Sequence, residues 1–154
     1  MITEEIIDQS IERIQQMDFD EAFGQFSKKH PLLVSYLAGE QFAVLEDSEY
    51  QILLFEAMII AECFPEVDFG NDETTAELLE ECESANWAAF DNDDQGSFHD
   101  RLDIFFENTD EEDLLAFIED SLVDDEESEP IHAASKEIIF ITLKSILDFF
   151  GQVK

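Results

Sequence analysis

The spacing most suggestive of metal chemistry occurs in the segment Asp91–Gly96. Aspartates at its first and third positions and a glycine at its sixth match the pattern of a calcium-binding loop. The bidentate glutamate that such a loop requires at its twelfth position is replaced by Leu102. We therefore expect a solvated loop between two helices, with a weak cation site as the alternative.

Histidine is another common metal ligand, and the chain has three: His30, His99 and His132, each alone near a predicted helix start. Glu129 and His132 have the Glu-x-x-His spacing of di-iron bundles, but Pro130 interrupts the motif. Such bundles also need a second copy of the motif and two further glutamates. We therefore expect no metal and no other cofactor. The alternative left open is a helical bundle that binds a metal ion or a small molecule, with its site among Asp91, Asp93, His99 and Asp103.

Motifs for catalysis are not found in the sequence. A glycine-rich phosphate loop, a nucleophile elbow and zinc-ligand spacing are all missing. Carboxylate pairs occur throughout the chain, so their presence does not indicate acid–base catalysis. Arg101 is expected to pair with the nearby Asp103 rather than to act on a substrate. We predict that the protein is not an enzyme.

Negative charge is the dominant chemical feature of the chain. It has 40 Asp and Glu residues against 7 Lys and Arg, which gives a formal net charge of -33. Residues 30–100 contain 18 acidic residues and no Lys or Arg, so local ion pairs cannot neutralise this stretch. We expect three acidic clusters to form a partner-binding surface. They are Asp91, Asp93 and Asp94; Asp110, Glu111, Glu112 and Asp113; and Asp124, Asp125, Glu126, Glu127 and Glu129.

A surface of this charge favours a basic protein as the partner, including basic proteins that bind nucleic acid. Negative potential steers cationic proteins into encounter and repels acidic ones. Nucleic acid itself is excluded as a direct ligand because phosphates are bound by Lys and Arg, and anionic membranes would repel the chain. The chain resembles acidic DNA-mimic proteins and the acidic helical immunity proteins that block basic nucleases, in charge and helix content alone. The alternative is a structural domain adapted to high salt, because salt relieves the repulsion between like charges.

Composition indicates a single all-α domain spanning residues 1–154. Hydrophobic residues make up 45% of the 154 residues, with 15 Phe, so the chain can form a core. Its 5 Gly and 3 Pro are too few for the turns of a β-sandwich. The start lacks a signal-peptide pattern and the apolar runs are too short to span a bilayer, so we expect a soluble cytoplasmic protein. Cys63 and Cys82 could form one disulfide, although buried thiols are favoured.

Apolar periodicity predicts a compact bundle of about eight helices. Ile7, Ile11 and Ile14 follow helical spacing. Ser48 with Gln51, and Thr109 with Glu112, have the spacing of capping boxes. One short helix is predicted over residues 98–106.

The two halves of the chain share an order of elements that suggests an internal duplication, with pseudo-repeats at residues 1–70 and 73–154. Leu53–Phe55 aligns with Ile138–Phe140, and Phe64 with Phe149 at the same distance. The alternative is that any two amphipathic helices align under a common period. The last helix of each half is apolar on nearly all faces, so we expect these two as the central pair. If the final helix were only half covered, Phe149 and Phe150 would mark a homodimer contact instead.

Overall fold

The computed structural model describes residues 2–67, 73–92, 96–123 and 131–153, and in these ranges the chain is all-α, as predicted, with no β-strand. A 3-10 turn covers Glu40–Phe42. The predicted helix at 98–106 is divided in two at Leu102. The α-helices are α1 (Glu4–Gln15), α2 (Phe19–Lys29), α3 (Pro31–Leu37), α4 (Asp47–Glu62), α5 (Glu73–Asn92), α6 (Phe98–Arg101), α7 (Asp103–Glu107), α8 (Glu112–Asp120) and α9 (Ala133–Val153).

The core is built around α9. Every residue from 139 to 147 is buried, because α5, α4 and α8 all pack against this helix. The apolar sequence of α9 therefore has the cover that a helix hydrophobic on all faces requires. α4 packs beside it but keeps Leu54 and Phe55 half-buried. None of the described helices combines the length and the hydropathy needed to cross a bilayer.

α4 and α9 run side by side in the same direction. Near their first turns, the Ser135 hydroxyl donates to Oε1 of Glu49 (2.9 Å). At their far ends, the ring of Phe64 stacks on that of Phe150, with centroids 5.3 Å apart. The facing residues lie within one position of those that the duplication aligns, but this contact between two helices does not test the duplication. It stays a prediction, since superposition of the halves is its test.

Phe149 and Phe150 are completely buried within one chain. Phe150 is enclosed by the rings of Phe64 and His30, and Phe149 packs against Phe150 itself. The proposed homodimer contact through these two residues is therefore wrong for the folded chain, because neither has surface to offer a second copy. Both residues belong to the core, as expected if the last helix is one of the central pair.

The starts of α4 and α8 differ from the predicted capping boxes. The box of α4 is formed by Glu46 at the N-cap and Glu49 three residues later, not by Ser48 and Gln51. At α8 the Thr109 hydroxyl accepts the N–H of Glu111 two residues on, and the helix begins later. The prediction followed the usual capping-box pattern, in which a Ser or Thr is followed three residues later by Glu or Gln. In this acidic chain a glutamate side chain takes that role at α4.

The two cysteines are free and buried, as favoured over a disulfide. Burial raises the pKa of both thiols, so their unreactive protonated form predominates. Gln152 donates to the sulfur of Cys82, and that sulfur lies on the α5–α9 contact. Both cysteines therefore act as small packing residues.

Candidate functional site

Two acids of the predicted cluster at Asp110–Asp113 bind the start of α1. The N–H of Ile2 donates to Oε2 of Glu111 (2.7 Å), and the N–H of Glu4 donates to Oδ2 of Asp113 (3.1 Å). The first N–H groups of a helix have no partner within it, and its dipole attracts anions at that end. Glu111 is buried and Asp113 half-buried, so these carboxylates fasten α8 to α1 besides adding negative charge.

This contact forms one end of a groove between α1 and α8 with a volume of about 280 Å³. One wall presents residues of α1 at helical spacing, and the other presents residues of α8 in the same way. Four of the seven lining side chains are carboxylates, and none of the seven is Lys or Arg. They are Glu4, Ile7 and Asp8 from α1, and Asp113, Ala116, Phe117 and Asp120 from α8.

The groove combines an apolar floor with an acidic rim. Ile7 is 2% exposed at its base, and Phe117 is half-buried beside it. Glu4, Asp8 and Asp120 are exposed and leave their charge in solvent. An Arg or Lys side chain has matching chemistry, because its aliphatic stem covers apolar surface while its charged end pairs with carboxylates or an aromatic face. The geometry therefore suits a cationic side chain supplied by another molecule.

Basic residues of the chain itself are largely occupied elsewhere. Arg13 binds Glu62 (2.8 Å), and Lys29 donates to the carbonyl of Pro65. Lys144 is buried and pairs with Asp148 one turn further along α9. These three basic residues are thus engaged away from the groove, and none of the described residues that line the groove is Lys or Arg.

Arg101 also has an internal partner, but not the one predicted. Its guanidinium binds Oε1 of Glu137 (3.1 Å) and the carbonyl oxygen of Phe90 (3.2 Å) instead of pairing with Asp103. Its central carbon lies 3.7 Å from the ring centroid of Phe90. The stacked guanidinium and its hydrogen bonds to Glu137 and Phe90 tie α6 to α5 and α9, so these interactions contribute to packing.

The remaining acids of the predicted surface are placed as follows. Asp91 is exposed in the last turn of α5, and Asp110 and Glu112 are exposed just before and at the start of α8. Of the predicted acids that the structure describes, the groove includes Asp113 alone. The other acids of the groove, Glu4, Asp8 and Asp120, are brought together only by the packing of α1 against α8, and these helices lie far apart in sequence. Outside the described residues are Asp93, Asp94, Asp124, Asp125, Glu126, Glu127 and Glu129.

The predicted metal site around Asp91 is not assembled among the described residues. His99 Nδ1 lies 2.9 Å from Oε1 of Glu119 on α8, which engages the imidazole. Asp91 and Asp103 are exposed and join no cluster of metal-ligand type within the described ranges. Asp93 lies outside those ranges. Residues 93–95 of the predicted calcium loop lie outside the described residues.

A different carboxylate cluster joins the starts of α4 and α9. Glu49 is almost fully buried, and its Oε1 accepts from the N–H of Glu46 and from Ser135 (both 2.9 Å). Its Oε2 accepts the N–H of His132 (3.0 Å) and faces His132 Nδ1 at 3.2 Å. Burial alone would raise the pKa of Glu49, but these hydrogen bonds together lower it below the ordinary value. Glu49 is therefore a charged group that caps two helices.

Glu56 lies two turns further along α4 in a contrasting environment. It is 5% exposed, and its Oε2 has no hydrogen-bond partner among the described residues. Burial raises the pKa of Glu56 to about 8, while a hydrogen bond with Ser121 lowers it only in part. One helix thus carries one buried carboxylate held in the charged form and another held in the neutral form.

Comparison with known proteins adds no assignment to this geometry. No protein-family model matches the chain, and neither the curated proteins nor the solved structures include a match.

Proposed function

We propose that this protein is a non-catalytic, acidic helical interaction protein that binds a basic protein partner. The observation that carries the proposal is the groove between α1 and α8, which has four carboxylates around an apolar floor and no Lys or Arg among its lining residues. A basic side chain of the partner would supply the missing cation. The groove acts as the anchoring point within the wider negative surface.

The physical basis is steering followed by anchoring. A net charge of -33 raises the local concentration of a cationic protein and accelerates encounter. Long-range attraction alone is unselective, whereas a buried side chain at the centre of an interface contributes much of its affinity. An arginine in the groove would stack on Phe117 and pair with the surrounding carboxylates. Basic proteins that bind nucleic acid fit this chemistry, because their own ligand is also an array of anions.

The same proposal places the protein in the cytoplasm. Cys63 and Cys82 are both free, and a reducing compartment keeps thiols in that state. Many basic proteins that bind nucleic acid occupy this compartment.

Affinity capture tests the proposal directly. The full chain is immobilised, exposed to a lysate of the organism that encodes it, and eluted with a salt gradient. We expect a defined basic protein to be released at one salt step and identified by mass spectrometry, because screening weakens the attraction. Capture that persists undiminished into high salt, or an eluate without a basic protein, would contradict the proposal.

The groove is tested with the captured partner and a charge-matched control. The double variant Asp8→Asn with Asp120→Asn removes two charges from the groove, and Glu77→Gln with Glu80→Gln removes two exposed charges from α5. We expect the groove variant to weaken binding by about tenfold or more, and the α5 variant by much less. Equal losses of affinity in the two variants would mean that the negative charge attracts the partner without a specific contribution from the groove.

A salt-adapted structural domain would give a different result in thermal unfolding. Its melting temperature would climb steeply up to molar salt, while affinity capture would yield no defined partner. Under the proposed function, a partner is captured at low salt, however strongly the melting temperature depends on salt concentration.

A further inference from the structure

Three potential metal ligands converge where α4 and α9 begin. They are Oε1 of Glu46, Oε2 of Glu49 and Nδ1 of His132, and all three lie within 4.8 Å of one another. His132 Nδ1 is 3.2 Å from the Glu49 oxygen and 4.0 Å from the Glu46 oxygen. Around a tetrahedral zinc ion with bonds of about 2 Å, neighbouring ligand atoms are about 3.3 Å apart. The observed separations therefore need only a small adjustment of the exposed Glu46 side chain.

We propose that Glu46, Glu49 and His132 bind one divalent transition-metal ion of the zinc type, with water in the fourth position. An imidazole with two carboxylates is a ligand set that such ions accept. His132 and Glu46 are more than half exposed, which gives an ion access from solvent. The proposal is independent of the basic partner.

The supporting contacts orient these ligands in the way that metal sites require. Oε1 of Glu49 is fixed by the Glu46 N–H and by the Ser135 hydroxyl, which leaves Oε2 facing His132. The N–H of His132 also donates to Glu49 and fixes the backbone that carries the imidazole. Such outer contacts set ligand orientation and affect metal affinity. The site is therefore organised before an ion arrives.

The ion takes the place of the hydrogen between His132 Nδ1 and Glu49 Oε2. The nitrogen must be unprotonated to coordinate, so any proton on it leaves to solvent as the ion enters. The positive ends of two helix dipoles oppose a cation here, but the two carboxylates offset them. Because the ligands come from α4 and α9, the bound ion would fasten the starts of the two adjacent helices.

Metal titration of the full chain tests the site against adventitious binding to an acidic surface. Zn²⁺ is titrated calorimetrically in a large excess of Mg²⁺, which occupies unspecific carboxylates, and Co²⁺ is followed by its visible absorption. The variants are His132→Ala and Glu46→Gln, since neither side chain is buried. The matched control is His99→Ala, which removes the imidazole that contacts Glu119.

We expect one ion per chain in the wild-type protein and in His99→Ala, with the intense visible bands of tetrahedral Co²⁺. We expect His132→Ala and Glu46→Gln each to lose about tenfold or more in affinity. Wild-type affinity in either of these variants would overturn the proposal. So would uptake that Mg²⁺ abolishes, because that result would show general attraction to the negative surface.

Discussion

A Glu56→Gln variant is expected to be more stable than the wild-type protein at about pH 9, by about 2 kcal/mol. Glu56 is 5% exposed and one of its oxygens has no hydrogen-bond partner among the described residues. A neutral amide of nearly the same shape avoids the cost of burying a charge. The gain is smaller than the full pKa shift would give, because a buried amide also needs partners.

The pH dependence gives this prediction its sign. The pKa of Glu56 is raised from 4.5 to about 8 in the folded protein. Its contribution to stability is therefore fully present below the ordinary pKa and declines as the pH rises towards 8. Between these two pKa values the unfolded chain has released the Glu56 proton and the folded chain still holds it. The free energy of unfolding therefore falls by about 1.4 kcal/mol for each pH unit. We expect the advantage of Glu56→Gln to grow across this window and then to level off.

Urea unfolding at a series of pH values measures the difference between variant and wild type. Glu80→Gln is the matched control, because it makes the same chemical change at an exposed position of α5. Removing any negative charge from this chain relieves some repulsion, and the control measures that general effect. An equal gain in both variants, or a gain for Glu56→Gln that does not change with pH, would show that Glu56 is not held neutral.

The helices could be predicted because their signals are local. Ile7 and Ile14 follow helical spacing, and α1 buries both. The apolar composition of α9 likewise predicted its place at the centre of the fold. The capping of α4 could not be predicted in this way. Glu49 accepts from His132 at a sequence separation of 83 residues, and no local pattern identifies such a partner.

The candidate site was predictable in its charge but not in its shape. Composition alone indicated an acidic surface, and Asp113 belongs both to the predicted clusters and to the groove. Asp8 was missed because its significance depends on α8 lying beside α1. That contact includes hydrogen bonds spanning 109 residues. In a chain so rich in acids, the sequence shows where charge is abundant, and only the packing shows which carboxylates surround an apolar floor.

Glu49→Gln is expected to destabilise the protein by about 3 kcal/mol, the opposite of the same substitution at Glu56. The charged Glu49 accepts from two backbone N–H groups and from the Ser135 hydroxyl, and faces the imidazole of His132. A glutamine has one acceptor oxygen, and its amide N–H groups would face other donors. Buried donors at the starts of α4 and α9 would then lack an acceptor. The expected loss of stability is large compared with the total stability of a domain of this size.

Urea unfolding in the presence of a chelator measures this loss without any contribution from bound metal. Ser135→Ala is the graded comparison, since it removes one of the donors and is expected to cost about 1 kcal/mol. In the double variant we expect less than the sum of the two losses, because the serine no longer has a carboxylate to bind. Two strictly additive losses of stability, or a Glu49→Gln protein as stable as the wild type, would contradict the conclusion that Glu49 caps both helices. Since both glutamates are buried on one helix, opposite outcomes for the same substitution would show that hydrogen-bond donors, not burial alone, decide which carboxylate stabilises the fold.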